Sequence, residues 1–192
     1  MKIIISGAYA IGTYLAKLLS RNMQDIVLMD ECSENLEKIS NEADLLTMEG
    51  STTSIKNLKE AGAEDADLFI AVTPDESKNI AACVLAHQLG TKKTVARVDN
   101  PEYVEPSNQE LFHQMGVSSI IYPELLAAKD IINGLKMSWV RQRWDVHDGA
   151  LVMLGIKLRE TCEILNRPLK DISGPDDPYH VVAIKRNDET II

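Results

Sequence analysis

The stretch SGAYAIG, residues 6–12, separates an apolar run from an amphipathic one, and its spacing could hold a phosphate group. Gly7 suits the tight turn after the strand-like run KIIIS, and Gly12 suits close packing of the following helix. The first amides of a helix lack intrahelical partners and carry partial positive charge, so they attract anions. Tyr9 stands where a further glycine normally lets a pyrophosphate approach. The predicted nucleotide-binding loop comprises Gly7, Ala8, Tyr9, Ala10, Ile11 and Gly12.

Asp30 closes a second strand-like run, DIVLMD, 18 residues after Gly12. A carboxylate at this position can accept both ribose hydroxyls of NAD or of an adenine nucleotide. It also repels a 2′-phosphate, so the sequence disfavours NADP. The alternative interpretation of Asp30 is a solvated charge at a strand end.

Further candidates lie at the ends of later strand-like runs. Ligands of open parallel sheets bind outside the carboxyl ends of the strands. Ser51 and Thr52 follow the third run, Thr73 ends the fourth, and Arg97 lies near the end of the fifth. Arg97 is the only cation in TVARV, which fits a phosphate partner and equally an ion pair between strands.

The elements that would position these residues alternate between short apolar runs and amphipathic stretches. Near-continuous apolar strands are typical of parallel sheets covered by helices on both faces. The pattern predicts an α/β fold with a doubly wound, mostly parallel, Rossmann-like sheet. The six predicted strands are KIIIS, DIVLMD, LLTMEG, DLFIAVT, TVARV and SSIIYP.

The later part of the chain predicts a partial second domain of α+β type. A helix is predicted over PELLAAKDIINGLKMSW, followed by WVRQRWDVHDG, which has no clear period and is interpreted as a linker. ALVMLGIKL and YHVVAIKRN are strand-like, but about 40 residues are too few for an independent core. We expect a partner, or chain beyond this sequence, to complete it. The predicted domains are residues 1–138 and 150–192, joined by residues 139–149.

Composition and spacing exclude several classes of protein. The net charge of −9 argues against nucleic acid as the main partner. No apolar run approaches the roughly 20 residues of a spanning helix, so we expect a cytoplasmic protein without direct membrane insertion. Neither a disulfide framework nor a metal site is indicated, because the three cysteines and four histidines are scattered without ligand spacing.

Six stretches of the chain together resemble the N-terminal domain of the RCK family, the regulators of potassium conductance, among them the Trk-type potassium-uptake regulators. The resemblance covers Met1 to about Ser138, and the chain from about Ala150 is similar to the start of the RCK C-terminal domain, cut short. The matching stretches are KIIISGAYAIGTYLAKLL, DIVLMDE, EGSTT, LKEAGAEDADLFIAVTPDESKNIAACVLA, VARVDNPEY and GVSSIIYPE.

The resemblance implies a cytosolic regulatory subunit that binds NAD(H) or an adenine nucleotide (ADP, AMP or ATP). It also implies a homo-dimer or higher homo-oligomer that gates a separate membrane potassium transporter, to whose inner face it is peripheral. By position, the nucleotide contacts of the family fall on residues 7–12, Asp30, Ser51, Thr52, Thr73 and Arg97.

Two family features concern single positions. Some relatives bind a divalent cation through a glutamate after the sixth strand, where Glu124 stands here, although a plain acid at a helix start explains Glu124 as well. ATP-gated relatives carry an arginine where this chain has Ala10, which weakens the expectation of ATP sensing. The substitution at Tyr9 leaves three alternatives: a displaced pyrophosphate, a strained φ, or packing of the ring on the ligand.

The sequence favours a non-catalytic sensor over an NAD-dependent oxidoreductase. Hydride transfer needs a substrate pocket and a positioned acid or base, and the chain has no Tyr-x-x-x-Lys pair and no sizeable substrate domain. A third possibility is a structural assembly subunit whose nucleotide site has decayed, with Tyr9 as the sign of that decay.

Overall fold

The computed structural model describes residues 1–21, 24–40, 45–136, 140–147, 149–174, 176–187 and 189–191. The described chain forms two compact units, Met1–Ile131 and Ile132–Ile192. The predicted boundary between residues 138 and 139 lies outside the described residues, so the domain division stays a prediction.

The first unit is built on six strands that alternate with helices. The strands are β1 (Lys2–Ser6), β2 (Asp25–Asp30), β3 (Leu46–Glu49), β4 (Leu68–Ala71), β5 (Lys93–Arg97) and β6 (Ser119–Ile121). The helices are α1 (Ala10–Ser20), α2 (Ser33–Ser40), α3 (Ile55–Glu60), α4 (Glu76–Leu89), α5 (Pro106–Gln114) and α6 (Pro123–Lys136).

All six strands are parallel, in the order β3-β2-β1-β4-β5-β6. The strand order reverses between β1 and β4, which makes this the switch point of a doubly wound sheet. The predicted Rossmann-like fold is therefore confirmed, and all six predicted strands are present with ends shifted by at most two residues.

The core of the first unit lies on both faces of the sheet. Ile3 and Ile5 pack with residues of β2, α1 and α2 on one face, whereas Ile4 packs with Phe69 and residues of α3 and α4 on the other. This two-sided burial explains why the strands are almost continuously apolar. Cys83 belongs to the cluster that contains Ile4 and Phe69, and burial raises the pKa of its thiol to about 12.

Helix α4 begins after Asp75 and ends before Gly90. The Asp75 carboxylate accepts a hydrogen bond from the Lys78 amide at 3.1 Å, and Gly90 ends the helix with φ 126°. Both are ordinary capping interactions. Asn79 in the first turn donates to the carbonyls of Thr73 and Arg97, which places this turn at the carboxyl ends of β4 and β5.

The second unit contains two small antiparallel sheets. Strand β7 (Val140–Val146) pairs with β8 (Leu151–Ile156), and β9 (Ile184–Arg186) pairs with β10 (Glu189–Ile191). The segment interpreted as a linker thus contains a strand. The predicted strand YHVVAIKRN is wrong over residues 179–183, which have no regular structure. Neither segment has a buried face to impose a period on its residues.

Candidate functional site

The loop after β1 is held between the two neighbouring strands. The Gly7 amide donates to the Met29 carbonyl at 2.8 Å, and Gly7 has φ 105°. A Cβ on Gly7 would lie 2.9 Å from the backbone nitrogen of Thr73. Only glycine fits both the left-handed conformation and the close approach of the β4 end. The sequence prediction of a tight turn at Gly7 agrees with this geometry.

Gly12 brings helix α1 against the same loop. It is buried, and a Cβ there would overlap the Gly7 carbonyl oxygen and lie 3.3 Å from Cγ2 of Val72. The glycine therefore allows α1 to start directly over the turn. The expectation was packing against the sheet, and the tightest contact is instead with the loop itself.

Tyr9 occupies the N-cap position of α1 without strain. Its φ of −86° and ψ of −171° are ordinary extended values, so the alternative of a strained φ is wrong. Its side chain makes no capping hydrogen bond and is 47% exposed. The first turn of α1 contains no acidic residue. The loop thus presents helix-start amides to a ligand in the way that anion sites require.

Asp30 lies at the end of β2, where the sequence placed it, but its carboxylate faces the loop. Oδ2 accepts a hydrogen bond from the Ala8 amide at 2.7 Å, and Oδ1 accepts one from the Cys32 amide at 2.8 Å. Asn35 donates from Nδ2 to Oδ1 at 3.4 Å. Asp30 is only 4% exposed, so it is not the solvated charge of the alternative interpretation. It is a buried acceptor that fixes the loop to β2.

The residues after β3 lie beside the end of β2. The Gly50 amide donates to the Asp30 carbonyl at 2.9 Å, and Ser51 Oγ lies 3.2 Å from Thr53 Oγ1. Thr52 is buried, and its Oγ1 has no hydrogen-bond partner in the described structure. Ser51 and Thr52 are therefore placed next to Asp30, as predicted from the parallel sheet.

An ion pair that the sequence did not reveal joins the loop after β2 to helix α4. Lys78 Nζ lies 2.7 Å from Glu31 Oε1. The Lys78 ammonium, and next a hydrogen bond from Ser51, lower the pKa of the Glu31 carboxyl. The pair connects elements that flank β1 on its two sides, at the switch point of the sheet.

Thr73 and Arg97 are tied together by Asn79 of α4, which the sequence analysis missed. Asn79 Oδ1 accepts from the Thr73 amide at 2.9 Å and from Thr73 Oγ1 at 2.7 Å. Its Nδ2 donates to the carbonyls of Thr73 and Arg97, each at 2.9 Å. The spacing of Asn79 to the buried Ala82 and Cys83 places it on the inner face of α4, which was the available signal.

The Arg97 guanidinium is engaged by acidic side chains. Nη2 lies 2.7 Å from Asp99 Oδ1 and 3.3 Å from Glu124 Oε1, and Nη1 donates to the Thr73 carbonyl at 3.4 Å. Arg97 thus forms ion pairs, but its partners lie on the following loop and on α6, not on a neighbouring strand as the alternative interpretation had it. Glu124, the candidate for a cation site, is therefore paired with this guanidinium. The described residues contain no group of three or more side chains that could hold a metal ion.

These positions form one edge of the sheet, and the domain that contains them matches a known family. Residues 3–123 match the model of the TrkA-N domain. The chain belongs to the TrkA-N family. A TrkA homolog of the Trk potassium-uptake system from Methanothermobacter thermautotrophicus is 30% identical over 192 residues, covering all of this chain and 86% of that relative.

Two further relatives are longer than this chain. TrkA of Haemophilus influenzae is 39% identical over 134 residues, covering 68% of this chain and 29% of its own length. TrkA of Azorhizobium caulinodans is 28% identical over 192 residues, covering 97% of this chain and 42% of its own length. Membership in this family of potassium-uptake regulators confirms the prediction of a regulatory protein rather than an oxidoreductase.

Solved structures share the fold at lower sequence identity. The TrkA-N domain of the inner membrane protein ybaL from Escherichia coli has a TM-score of 0.61 at 14% identity, covering 70% of this chain and 96% of that chain. The AMP-bound Kef C-terminal domain from Shewanella denitrificans has a TM-score of 0.55 at 21% identity, covering 72% of this chain and 82% of that chain. The GsuK channel bound to NAD has a TM-score of 0.50 at 20% identity, covering 62% of this chain and 21% of that chain. No helix within the described ranges is long and apolar enough to cross a membrane.

Proposed function

We propose that this chain is a cytosolic nucleotide-sensing subunit that gates a membrane potassium-uptake transporter. It binds NAD(H) or an adenine nucleotide (ADP, AMP or ATP) at the carboxyl edge of its parallel sheet. It acts as a homo-dimer or higher homo-oligomer, and it reaches the inner face of the membrane through the transporter.

The observation that carries this proposal is the start of α1. Gly7 and Gly12 bring the helix start directly over the turn, and Tyr9 provides no side-chain cap for its amides. Unpartnered helix-start amides with their partial positive charge bind phosphate. The loop is fixed before any ligand arrives, because Met29, Asp30 and Thr73 hold it from both sides.

Buried polar atoms without partners support a ligand at this edge. Ser6 Oγ, Thr52 Oγ1 and Arg97 Nε have no hydrogen-bond partner in the described structure, and they lie at or just after the ends of β1, β3 and β5. Buried polar groups are normally satisfied, so these exceptions along one edge of the sheet favour a polar ligand or ordered water there. The NAD-bound GsuK channel and the AMP-bound Kef domain share this fold, which supports a nucleotide.

In the proposed complex the phosphates lie on the loop, and the remaining edge residues surround the nucleoside. Asp30 accepts a hydrogen bond from a loop amide and thereby positions the loop. In the complex it either keeps this bond or exchanges it for one from a ribose hydroxyl. The Asn79 tie holds Thr73 at the opposite side of the crevice. The proposed contact residues are Gly7, Ala8, Tyr9, Ala10, Ile11, Gly12, Asp30, Ser51, Thr52, Thr73 and Arg97.

The proposed signal leaves the site through α6. Glu124 of this helix binds the same arginine that approaches Thr73 at the sheet edge. Four apolar residues of the helix are exposed, which favours a second subunit as their cover. A nucleotide that binds two subunit arrangements with different affinity would shift the equilibrium between them. The four exposed residues are Leu126, Ile131, Ile132 and Leu135.

A thermal-shift panel with NAD, NADH, ATP, ADP and AMP tests the proposal. A nucleotide at 100 times its Kd should add about 2.7 kcal/mol to the free energy of unfolding. Asp30→Ala should abolish this shift because it removes the carboxylate that holds the loop against β2, whereas Asp25→Ala, an exposed change at the opposite end of β2, should keep it. No stabilisation by any nucleotide would favour a structural assembly subunit, and an unchanged response in Asp30→Ala would remove the role of Asp30.

A further inference from the structure

The second unit has a cavity of its own, of about 260 Å³, at the end of the β7–β8 pair where β7 begins and β8 ends. Basic and apolar side chains line it together: Arg141, Lys157 and Arg159, with Ile156 and Leu158. We propose that this β7–β8 cavity binds a phosphate monoester, with the phosphate on the basic side chains and the apolar group of the ester on Ile156 and Leu158. The site is separate from the nucleotide loop and does not depend on it.

The cations of the cavity wall are available for a ligand. Within the described ranges, the side chains of Arg141, Lys157 and Arg159 take part in no hydrogen bond or ion pair, and the cavity wall contains no carboxylate. Glu160 follows Arg159 in the sequence but does not line the cavity. A phosphate monoester carries about −1.5 to −2 at neutral pH, and guanidinium groups match its oxygens with two parallel donors. The wall therefore suits a phosphate dianion.

A β-bulge sets the position of Arg141. Val140 pairs with Ile156 and Gln142 pairs with Gly155, so β7 advances by two residues where β8 advances by one. Arg141 is the extra residue. A bulge bends its strand and changes the direction of a side chain. Here it accompanies the placement of Arg141 in one wall with the residues that end and follow β8.

The other two cations come from the segment directly after β8. The Cys162 amide donates to the Arg159 carbonyl at 2.9 Å, which closes a turn over residues 159–162. Thr161 of this turn lines the cavity together with Arg159. The Thr161 hydroxyl makes no hydrogen bond in the part of the chain that the structure describes, so it can donate to a phosphate oxygen.

The apolar part of the wall distinguishes an ester from inorganic phosphate. Ile156 is 52% exposed and Leu158 is 45% exposed, and both line the cavity on either side of Lys157 in the sequence. Inorganic phosphate would leave these side chains in water, whereas an apolar group next to the phosphate would cover them. An ester with such a group should therefore bind more tightly than phosphate alone.

The charge of the second unit lets an anion approach. Residues 132–192 contain nine lysines and arginines and nine aspartates and glutamates, so the excess charge of −9 lies within residues 1–131. The second unit thus carries no net negative charge that would repel a phosphate.

Two sources offer this chemistry, a soluble organic phosphate and the headgroup of a phospholipid. Phenyl phosphate represents the first and is titrated into the whole chain while backbone amide NMR signals are followed. We expect the amides of residues 156–162 to shift with a Kd in the range of about 1 mM, and inorganic phosphate to bind about threefold more weakly. Sedimentation with vesicles that contain phosphatidic acid represents the second source, with pure phosphatidylcholine vesicles as the control.

Variants test whether the cavity is responsible. Arg141→Gln and Lys157→Gln should each weaken binding about two- to fivefold, and the double variant about tenfold, because exposed charge pairs contribute modestly. Arg167→Gln removes an exposed arginine of the same unit that does not line the cavity, and it should change nothing.

Several outcomes would overturn the assignment. One is binding that survives the double variant, and another is the absence of both phenyl phosphate shifts and sedimentation that depends on phosphatidic acid. Equal affinities for phenyl phosphate and inorganic phosphate would remove the apolar contact. Shifts confined to residues 7–13 would place the phosphate on the nucleotide loop, which supports the proposed function but contradicts a site in the second unit.

Discussion

The two units of this chain differ in how they bury their apolar residues. In Met1–Ile131 both faces of the sheet are covered, and Ile4, Ile5 and Phe69 are fully buried. None of the described residues from 132 onward is buried, and β8 exposes Leu151, Val152 and Met153. Burial of apolar surface stabilises a folded unit, so the first unit carries its own core, whereas the described residues of the second unit form none.

The largest expected effect is a difference in unfolding free energy between two truncations. One removes a large core side chain of the first unit, and the other removes an apolar side chain of the second. Phe69→Ala should lower the free energy of unfolding by about 3–5 kcal/mol, because it leaves a cavity in a close-packed core. Met153→Ala should change it by less than about 0.5 kcal/mol in the single chain. Urea unfolding followed by circular dichroism measures both.

The same pair of variants can break the comparison. A cost for Met153→Ala that rises with protein concentration would show that a second copy covers β8. Equal costs for the two variants at every concentration would contradict the contrast between the units.

The next effect concerns the Asn79 tie within the first unit. Asn79 is only 1% exposed, and Asn79→Ala leaves the Thr73 amide and two carbonyls without their hydrogen-bond partner. We expect a loss of about 2–4 kcal/mol in unfolding free energy. Asn108→Ala, at an exposed amide that donates to the Glu102 carbonyl, is the matched control and should cost about 0.5 kcal/mol or less. Similar losses in both variants would show that the tie contributes nothing special.

Most of the fold could be predicted from the sequence because the first unit imposes a strong pattern. Burial on both faces made β1, β2, β4 and β5 read as apolar runs, and Gly7, Gly12 and Gly90 stand at sterically restricted positions. Strand β7, VRQRWDV, escaped prediction because it has one neighbour and no buried face.

The candidate site was predictable only in outline. The parallel sheet put Asp30, Thr73 and Arg97 at one edge, as the strand pattern required. Two of the contacts come from residues far apart in the chain, which no local spacing records: Ala8 with Asp30, and Asn79 with Arg97. The Lys78–Glu31 pair, 47 residues apart in the chain, is another such contact.

A pair of glycine variants sharpens the contrast, because glycine-to-alanine changes should shift stability in opposite directions in the two units. Gly12→Ala should destabilise the first unit by about 1–3 kcal/mol, since its Cβ would overlap the Gly7 carbonyl oxygen. Gly134→Ala in α6 meets no atom within 4 Å, so it should stabilise the helix by about 0.5–1 kcal/mol. Thermal melts of the two variants measure the shifts, and a stabilising Gly12→Ala would show that the loop is not tightly packed.

The smallest expected effect is a dependence of stability on pH in the first unit. Lys78 and then Ser51 lower the pKa of Glu31, and Lys92 and then the Lys2 amide lower the pKa of Asp67. A folded pKa below the unfolded one gives stability that is present above about pH 4 and is lost as the pH falls through the folded pKa. The melting temperature should therefore fall below pH 4.

Replacing the two cations tests this origin of the acid sensitivity. The double variant Lys78→Met, Lys92→Met should have a flatter melting temperature between pH 5 and about pH 3 than the wild-type chain. The exposed pair Lys56–Glu60 provides the control, Lys56→Met, which should follow the wild-type curve. Identical curves for all three proteins would place the acid sensitivity at other carboxyl groups.

The Asn79 tie also makes the sheet edge vulnerable to chemical ageing. Deamidation would replace its NH₂ group by a negatively charged oxygen, which can accept from the Thr73 amide but cannot donate to the two carbonyls that it now serves. Asparagine is among the residue types that limit protein lifetime at high temperature. Burial inside a helix and the bulky Ile80 that follows slow this reaction, so loss of this one amide should require prior opening of α4.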